Sequence, residues 1–495
     1  MSQPSISLEY RPRDPAGTVL WRAVHDHWQT FVAEAARQAR SLPAFVERAF
    51  EKFLDCGNPA AGFARVRCKD CGKEQFVAFS CKVRGLCPSC DGRRMAEHAA
   101  HLVDNVIPEV AVRQWVLTVP GWLRFRMARD NELTSIVLDV FIRTVSAWYR
   151  RRARRLGVDD PKCAAVTFIQ RFGDGVRLSP HFHTLFADGC WSRLGDDWPI
   201  VFDEIPSLRD EEVAELCAEL RRKILRRLIR KGVISDVGDG YDDPADEDAL
   251  LTICGKASLL DRVAVGERLG QLVAHVMREP PEPKPHGRRC AHVQGFSLHA
   301  ATRVGRKARP HLEKLCRYVA RPAICNARLK FLDDGRILMR FKRKWANGAV
   351  AKVWEPLDFI SKLVPMVVKP RVNLLRYHGQ WASGGKWREE ICPTPRQPEP
   401  CHVEDAPTPR ARRRRISWSE LLKRCFAVDV LTCSCGGQRE LISLIEAGRT
   451  ATKILAHVGL PTERPRFKAA RAPPQAEFDD GWGQPDAYDP LDQCR

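Results

Sequence analysis

The stretch CAAVTFIQRFGDGVRLSPHFHTLFADG, residues 163–189, decides how this chain is built. It reads as two β-rich runs around the Gly-Asp-Gly turn at 173–175, hence an antiparallel hairpin. Successive side chains of a strand point to opposite faces, so His181 and His183 project together while Phe182 points into the protein. Two imidazoles on one face can hold a metal ion, although an isolated His-x-His is more often a pair of ordinary strand histidines. The hairpin sets Gln170, or a residue near it, beside the histidines. Its amide oxygen is one expected third ligand, the alternative being a glutamine that merely closes the turn. His299, in the strand-like GFSLHAATRV at 295–304, is a second.

Outward from the hairpin, ELTSIVLDVFIRTVSAWYRRRARR (132–155) carries Leu133, Ile136, Val137, Val140, Phe141 and Trp148 at helical spacing, and RQWVLTVP (113–120) reads as another strand of the same sheet. Residues 195–290 turn to alternating acidic and basic runs with two helical stretches, ending in the Pro-rich EPPEPKPHGRR (279–289). This interval is expected to be a helical insertion within the catalytic unit.

A chain of 495 residues exceeds one core and should divide into two to four domains. It contains no run of eighteen apolar residues and no secretory start, so a soluble cytoplasmic protein without membrane partners is expected. Lys and Arg exceed Asp and Glu by 81 to 61, which suits a polyanionic partner. The basic residues cluster in RRRARR (150–155), RRKILRRLIRK (221–231) and RARRRR (410–415), favouring nucleic acid. No GxxxxGK[ST] loop is present, so ATP-driven chemistry is not indicated.

Nineteen cysteines in a chain without a secretory signal argue for metal rather than disulfides. CKDC (68–71) and CPSC (87–90) are two knuckles fifteen residues apart, the spacing of a zinc ribbon. Cys68, Cys71, Cys87 and Cys90 are therefore the expected ligands of one structural Zn²⁺, surrounded by basic residues that include Arg84, Arg93 and Arg94 as DNA contacts. Cys56, Cys81, His98 and His101 lie near and could complete a second site, but they lack paired spacing, which weighs at least equally for core or surface roles; CSC at 433–435 resembles half a knuckle without a partner, more in keeping with a structural or degenerate element.

ARPHLEKLCRYVARPAI (308–324) starts with Pro310 in a suitable first-turn position and meets Pro322 where a helix must stop. Between them Tyr318 shares a helix face with Lys314 and Arg321, two cations able to hold a phosphate or favour phenolate. Such help suits a nucleophile, since a free phenol titrates near pH 10. Farther on, KPRVNLLRYHG (369–379) offers Arg371 and Arg376 for a DNA channel and Tyr377 as a stacking or structural ring.

Taken together, CKDC…SCKVRGLCPSC, VTFIQRFG…LSPHFHTLFADG, GFSLHA, LCRYVARPAI, FISKLVPMVVKPRVNLLRYHG and WSELLKRCFAVDVLTCSCGG resemble the insertion-sequence ninety-one family of bacterial transposases, specifically its common-region branch. These belong to the histidine-hydrophobe-histidine superfamily of single-strand DNA endonucleases, alongside plasmid replication initiators and relaxases. The resemblance implies a rolling-circle transposase that nicks and rejoins single-stranded DNA at the element ends and inserts it into target DNA. It puts His181 and His183 on a catalytic Mg²⁺ or Mn²⁺ and makes Tyr318 the nucleophile. Two-tyrosine members repeat the phenol one turn on, but position 322 is Pro here. A second protomer, as in a homodimer, or a free DNA 3′-OH would then serve the second transfer. A replication initiator, a relaxase and a non-catalytic zinc-ribbon regulator are the alternatives. The expected fold is α+β: a zinc-binding DNA-binding domain (15–108), a catalytic domain with a central antiparallel sheet (109–330), a basic C-terminal region (331–445) and a disordered tail (446–495). A nucleoid-associated bacterial protein is expected.

Overall fold

The computed structural model describes residues 14–234, 250–266, 268–279, 287–393 and 430–471, and these form an α+β fold of helices and antiparallel sheets. At the N-terminal end, helices α1 (Val19–Arg37) and α2 (Ala44–Leu54) precede strands β1 (Gly62–Cys68) and β2 (Glu74–Ala78) and helix α3 (Pro88–Asn105). Thr18 accepts from the Trp21 amide to start α1, whose buried Leu20, Val24, Trp28 and Phe31 repeat at helical spacing. The Trp28 ring stacks on Phe50 of α2 at 3.9 Å.

The central sheet follows. It takes in β3 (Val112–Thr118), β4 (Ala164–Phe172), β5 (Leu178–Ala187), β9 (Cys290–Val293), β10 (Phe296–His299), β11 (Arg303–Val304) and β15 (Leu375–Gly379). Their order is β15-β4-β5-β3-β10-β9, with β11 also on β3, and every pairing is antiparallel. Between β3 and β4 run α4 (Gly121–Arg129) and α5 (Asn131–Arg155), the latter capped by Asp130, whose carboxylate accepts from the Glu132 and Leu133 amides. Alternation along the strands separates two cores. Trp115, Leu117, Ala165, Ile169, Phe182 and Phe186 face α4, α5 and α6 (Asp210–Arg230). Val112, Val166, Phe168 and Leu185 face α3 and α8 (Arg309–Val319). Phe182 lies 6.2 Å from Phe141 of α5 in the first core, which leaves its histidine neighbours on the second face.

The interval 195–290 is less separate than an insertion. It supplies β7 (Val201–Glu204), paired with β6 (Gly189–Ser192); α6, packed on the main sheet; α7 (Leu250–Leu260); and β8 (Ala274–Met277). Strand β8 joins β12 (Leu329–Phe331), β13 (Ile337–Arg340) and β14 (Ala349–Trp354) in a second sheet, which α9 (Pro356–Leu363) covers through Trp354 and Phe359. A domain boundary at 330 does not hold, because β15 pairs with β4 from Leu375↔Phe168 to Gly379↔Ala164. Hydrogen bonding along that edge, rather than basic composition, fixes the place of residues 375–379. Helix α10 (Arg388–Ile391) follows it.

The expected disordered tail is also corrected in part. Strand β16 (Arg439–Glu446) pairs along the whole of β1, and α11 (Arg449–His457) buries Ala451 and Leu455 against Ala60 and Phe63. Beyond it, Phe467 packs near Trp28, and the Lys468 amide donates to the His25 carbonyl at 3.0 Å. The basic run 410–415 and residues 472–495 lie outside the described residues.

One end of the main sheet is locked by charge. Arg113 of β3 forms two bonds of 2.9 Å to Asp188, which also accepts from Tyr149 of α5 at 2.9 Å and Arg303 of β11 at 2.7 Å. Arg113 and Asp188 are only 2% and 3% exposed, so strands from distant parts of the sequence are fixed by one fully satisfied carboxylate.

Candidate active site and cysteine clusters

The site lies on the face of β5 that carries His181 and His183, under α8. Cross-strand register sets Gln170 of β4 opposite His181, and Val116 of β3 opposite His183. The two Nε2 atoms face each other at 3.0 Å. His181 Nδ1 donates to the Ser179 carbonyl at 2.6 Å, and His183 Nδ1 meets the Gln114 carboxamide at 2.7 Å. Burial lowers both imidazoles below the ordinary 6.5, His183 well below it with His181 and Arg321 adding to the effect, while the Ser179 bond opposes the shift at His181. Both rings are therefore neutral at pH 7, the form a metal requires.

Gln170 makes one firm bond, its Nε2 donating to the Val319 carbonyl at 2.7 Å. Its Oε1 is buried without a hydrogen-bond partner. A buried orphan acceptor costs roughly 1–3 kcal/mol, so its retention on the residue opposite His181 fits a cation ligand. His299 shares the face, opposite Val116, but does not join the pair: among the described residues no third His, Cys, Asp or Glu has its ligand atom within 4.8 Å of both.

Tyr318 comes to this site from far along the chain. Its ring stands edge-on to His183, with centroids 6.2 Å apart and planes at 89°. Leu312, Leu315, Cys316 and Val319 bury the opposite side of α8, leaving Tyr318 43% exposed at the mouth. The helix ends at Val319, so Arg321 does not share a helical face with the phenol. Instead its guanidinium covers the Tyr318 ring at 4.6 Å, and Lys342, which the sequence did not single out, approaches the same ring at 5.9 Å. Lys314 lies exposed one turn earlier on α8.

A cleft of about 800 Å³ adjoins the site, between α3 and the β4–β15 edge of the sheet, and includes Gln170, Arg171, Arg321, Arg84, Arg94 and Tyr377 in its walls. Arg84 spans it to the carbonyls of Lys369 and Val372, and Arg94 binds Asp91 and the Val83 carbonyl, so both shape the wall. Arg93 lies on α3 outside this lining. A second cleft of about 510 Å³ continues past His101 and Tyr377 to Arg371 and Arg376. Arg376 is tied to Ser135 at 2.8 Å, whereas Arg371 is exposed. Burial pushes the Tyr377 phenol up to about 12.

The cysteines form two groups, not one ribbon. Cys87 and Cys90, at the start of α3, meet Cys56 and Cys81, with sulfur separations of 3.5 Å for Cys56–Cys87 and 3.8 Å for Cys56–Cys90. Cys68 and Cys71 meet Cys433 and Cys435 instead. The expectation of a single site on Cys68, Cys71, Cys87 and Cys90 fails because β2 carries the chain away from the first knuckle before the second begins, and isolated cysteines complete the first group. His98 and His101 belong to neither group. Gln114 was legible only in its strand; its approach to His183 depends on register that no local pattern gives.

Two family models match the chain. The transposase zinc-binding domain of the IS91 type matches residues 23–119, which contain all of the Cys56, Cys81, Cys87 and Cys90 group and support a structural zinc. A transposase family model matches residues 164–388, from the start of β4 through α10. No curated protein and no solved structure matches the chain. Among the described residues no helix is long and apolar enough to cross a membrane. A zinc-binding module of the IS91 type at 23–119, followed by a transposase body at 164–388, supports an IS91-family transposase.

Proposed function

We propose that this transposase cuts and rejoins single-stranded DNA through a covalent bond between Tyr318 and a 5′ phosphate, as rolling-circle transposition of an insertion sequence requires. The observation that carries the reading is the edge-on approach of an exposed phenol to His183, beside the orphan oxygen of Gln170. His181, His183 and Gln170 would hold a divalent cation, Mn²⁺ or Mg²⁺, which supplies charge neutralisation at the scissile phosphate. Arg321 and Lys342 hold the phenol ring and bring positive charge to the same mouth. Tyr318 Oη attacks phosphorus, losing its proton as the P–O bond forms; the bond to the 3′ oxygen breaks, and that oxygen takes up a proton. The phosphotyrosine retains the phosphodiester's free energy, so a 3′-OH can reverse the step. With Pro at 322 and the Tyr377 phenol pushed up to about 12, the second transfer falls to a DNA 3′-OH or to a second protomer's Tyr318.

The direct experiment incubates the full chain with oligonucleotides from both ends of its element and Mn²⁺ or Mg²⁺, and looks for an SDS-stable protein–DNA adduct. An adduct dependent on the cation supports the reading; its absence with both strands of both ends overturns it. The pH dependence provides a separate check. A free imidazole is lost to metal binding as pH falls through 6.5, but these two are held below that value by burial. The acid limb of cleavage should therefore have its midpoint below 6.5. A midpoint at or above 6.5 in the pH–rate profile would rule out the buried pair as ligands. The sign for stability is the same: only unfolded imidazoles take up protons just below 6.5, so burying this pair costs stability progressively as pH falls.

Arg371 is the exposed cation of the second cleft and sits at φ 62°, held by the Arg84 bonds to its neighbours' carbonyls. Arg371→Ala should weaken single-strand binding and reduce the slope of log affinity against log salt by about 0.7. Fluorescence anisotropy over a salt series measures this, and an unaltered slope removes Arg371 from the strand path.

A further inference from the structure

The geometry points to a second structural zinc, bound by Cys68, Cys71, Cys433 and Cys435, that clasps the C-terminal segment onto the N-terminal module. The domain match at 23–119 covers only half of this ligand set. The four sulfurs lie within 4.8 Å of one another, with Cys68–Cys435 at 3.6 Å and Cys71–Cys433 at 3.7 Å. Sulfurs at the corners of a tetrahedron around zinc, each about 2.3 Å from the ion, are separated by about 3.8 Å. The observed separations match that edge and are far too long for disulfides, whose sulfurs approach to about 2.0 Å.

Three further observations support a metal rather than a chance meeting of thiols. Both segments are folded as knuckles: the Gly72 amide donates to the Cys68 carbonyl at 3.1 Å, and the Gly436 amide to the Cys433 carbonyl at 2.9 Å, with both glycines at positive φ. The knuckles are joined to each other, the Lys69 amide donating to the Gln438 carbonyl at 3.0 Å. Arg439, only 5% exposed, directs Nη2 to the Cys433 sulfur at 3.7 Å, a cation where four thiolates around Zn²⁺ would leave net negative charge. Gly437 allows this closeness, since a Cβ there would lie 2.9 Å from the Cys68 sulfur and 2.3 Å from Asp70.

The ion would do work that packing cannot. Strand β16 completes a three-stranded sheet whose own apolar core is Ala60, Phe63, Ala451 and Leu455 with a few half-buried neighbours. Such a core is too small to hold two chain segments together unaided. Metal binding free energy acts as folding free energy for a module of this kind. The ligands Cys68 and Cys435 are 367 positions apart, so the clasp encloses the whole catalytic body.

Elemental analysis of the purified full-length chain tests this. Two zinc ions per chain are expected for the natural protein, and one for Cys433→Ser/Cys435→Ser. Amide exchange across residues 439–446 should be at least about tenfold faster in that variant, while β4 and β5 keep their protection. Cys435→His, which preserves a zinc ligand, should restore both the second ion and the protection. One zinc in the natural protein, two in the double serine variant, or failure of the histidine variant to hold the second ion would each overturn the clasp. None of these readouts depends on DNA cleavage, so the clasp and the proposed chemistry stand or fall separately.

Discussion

Tyr318→Phe is expected to abolish the protein–DNA adduct and lower strand cleavage by about 10⁴-fold or more, while single-strand binding is retained. The substitution removes one solvent-facing oxygen and nothing else. The ring stays, and with it the edge-on contact to His183 and the cover of Arg321 and Lys342. Four buried residues on the far side of α8 hold the helix regardless. A loss of adduct therefore reports chemistry and not collapse. Tyr377→Phe is the matched control: that phenol is half-buried and pushed up to about 12, so the adduct should form at its ordinary yield. Gel analysis of labelled oligonucleotides after SDS denaturation separates the cases. Full adduct in Tyr318→Phe would transfer the nucleophile to another residue.

The second large effect is on stability. Asp188→Ala should destabilise the fold by about 3–5 kcal/mol, since removing one member of a buried ion pair strands the other. Arg113 would keep a desolvated guanidinium with only the Ala300 carbonyl at 3.0 Å, and the buried Tyr149 hydroxyl would lose its acceptor. Arg303 suffers less because it is partly exposed and also binds Glu204 at 2.7 Å. Denaturant unfolding monitored by tryptophan fluorescence gives the number, and a loss below about 1 kcal/mol would show that Asp188 is not the anchor of this end of the sheet. Replacing Arg113 by Met together with Asp188 by Leu should recover much of the loss, because the penalty comes from the unpaired charge more than from the missing bond.

What could be read from the sequence was whatever depends on neighbours in the chain. Alternation in LSPHFHTLF placed Phe182 and the histidines on opposite faces, and apolar spacing anticipated α5 to within a residue or two. The antiparallel sheet was likewise visible in its strands. The partnerships of the cysteines were not. Spacing logic joins the two nearest knuckles, whereas the fold completes one with the single residues Cys56 and Cys81 and the other with a pair hundreds of positions away. The Pro, Gly and charge content toward the C-terminus suggested an unstructured tail, because the purpose of Ala451, Leu455 and Phe467 shows only beside Phe63 and Trp28. Arg321 was expected on a helical face and instead follows the end of α8, reaching the phenol by folding back over its ring.

The face that carries the histidines is roofed partly by α3, whose Ala99, Leu102 and Val103 share one apolar cluster with Val112, Val166, Leu185 and Leu315. Arg309, at the start of α8, reinforces this by donating to the Ile107 carbonyl at 2.9 Å. The metal-organised front of the molecule is thus not a separable appendage. A chimaera joining this body to a foreign front would have to match side chains across that seam.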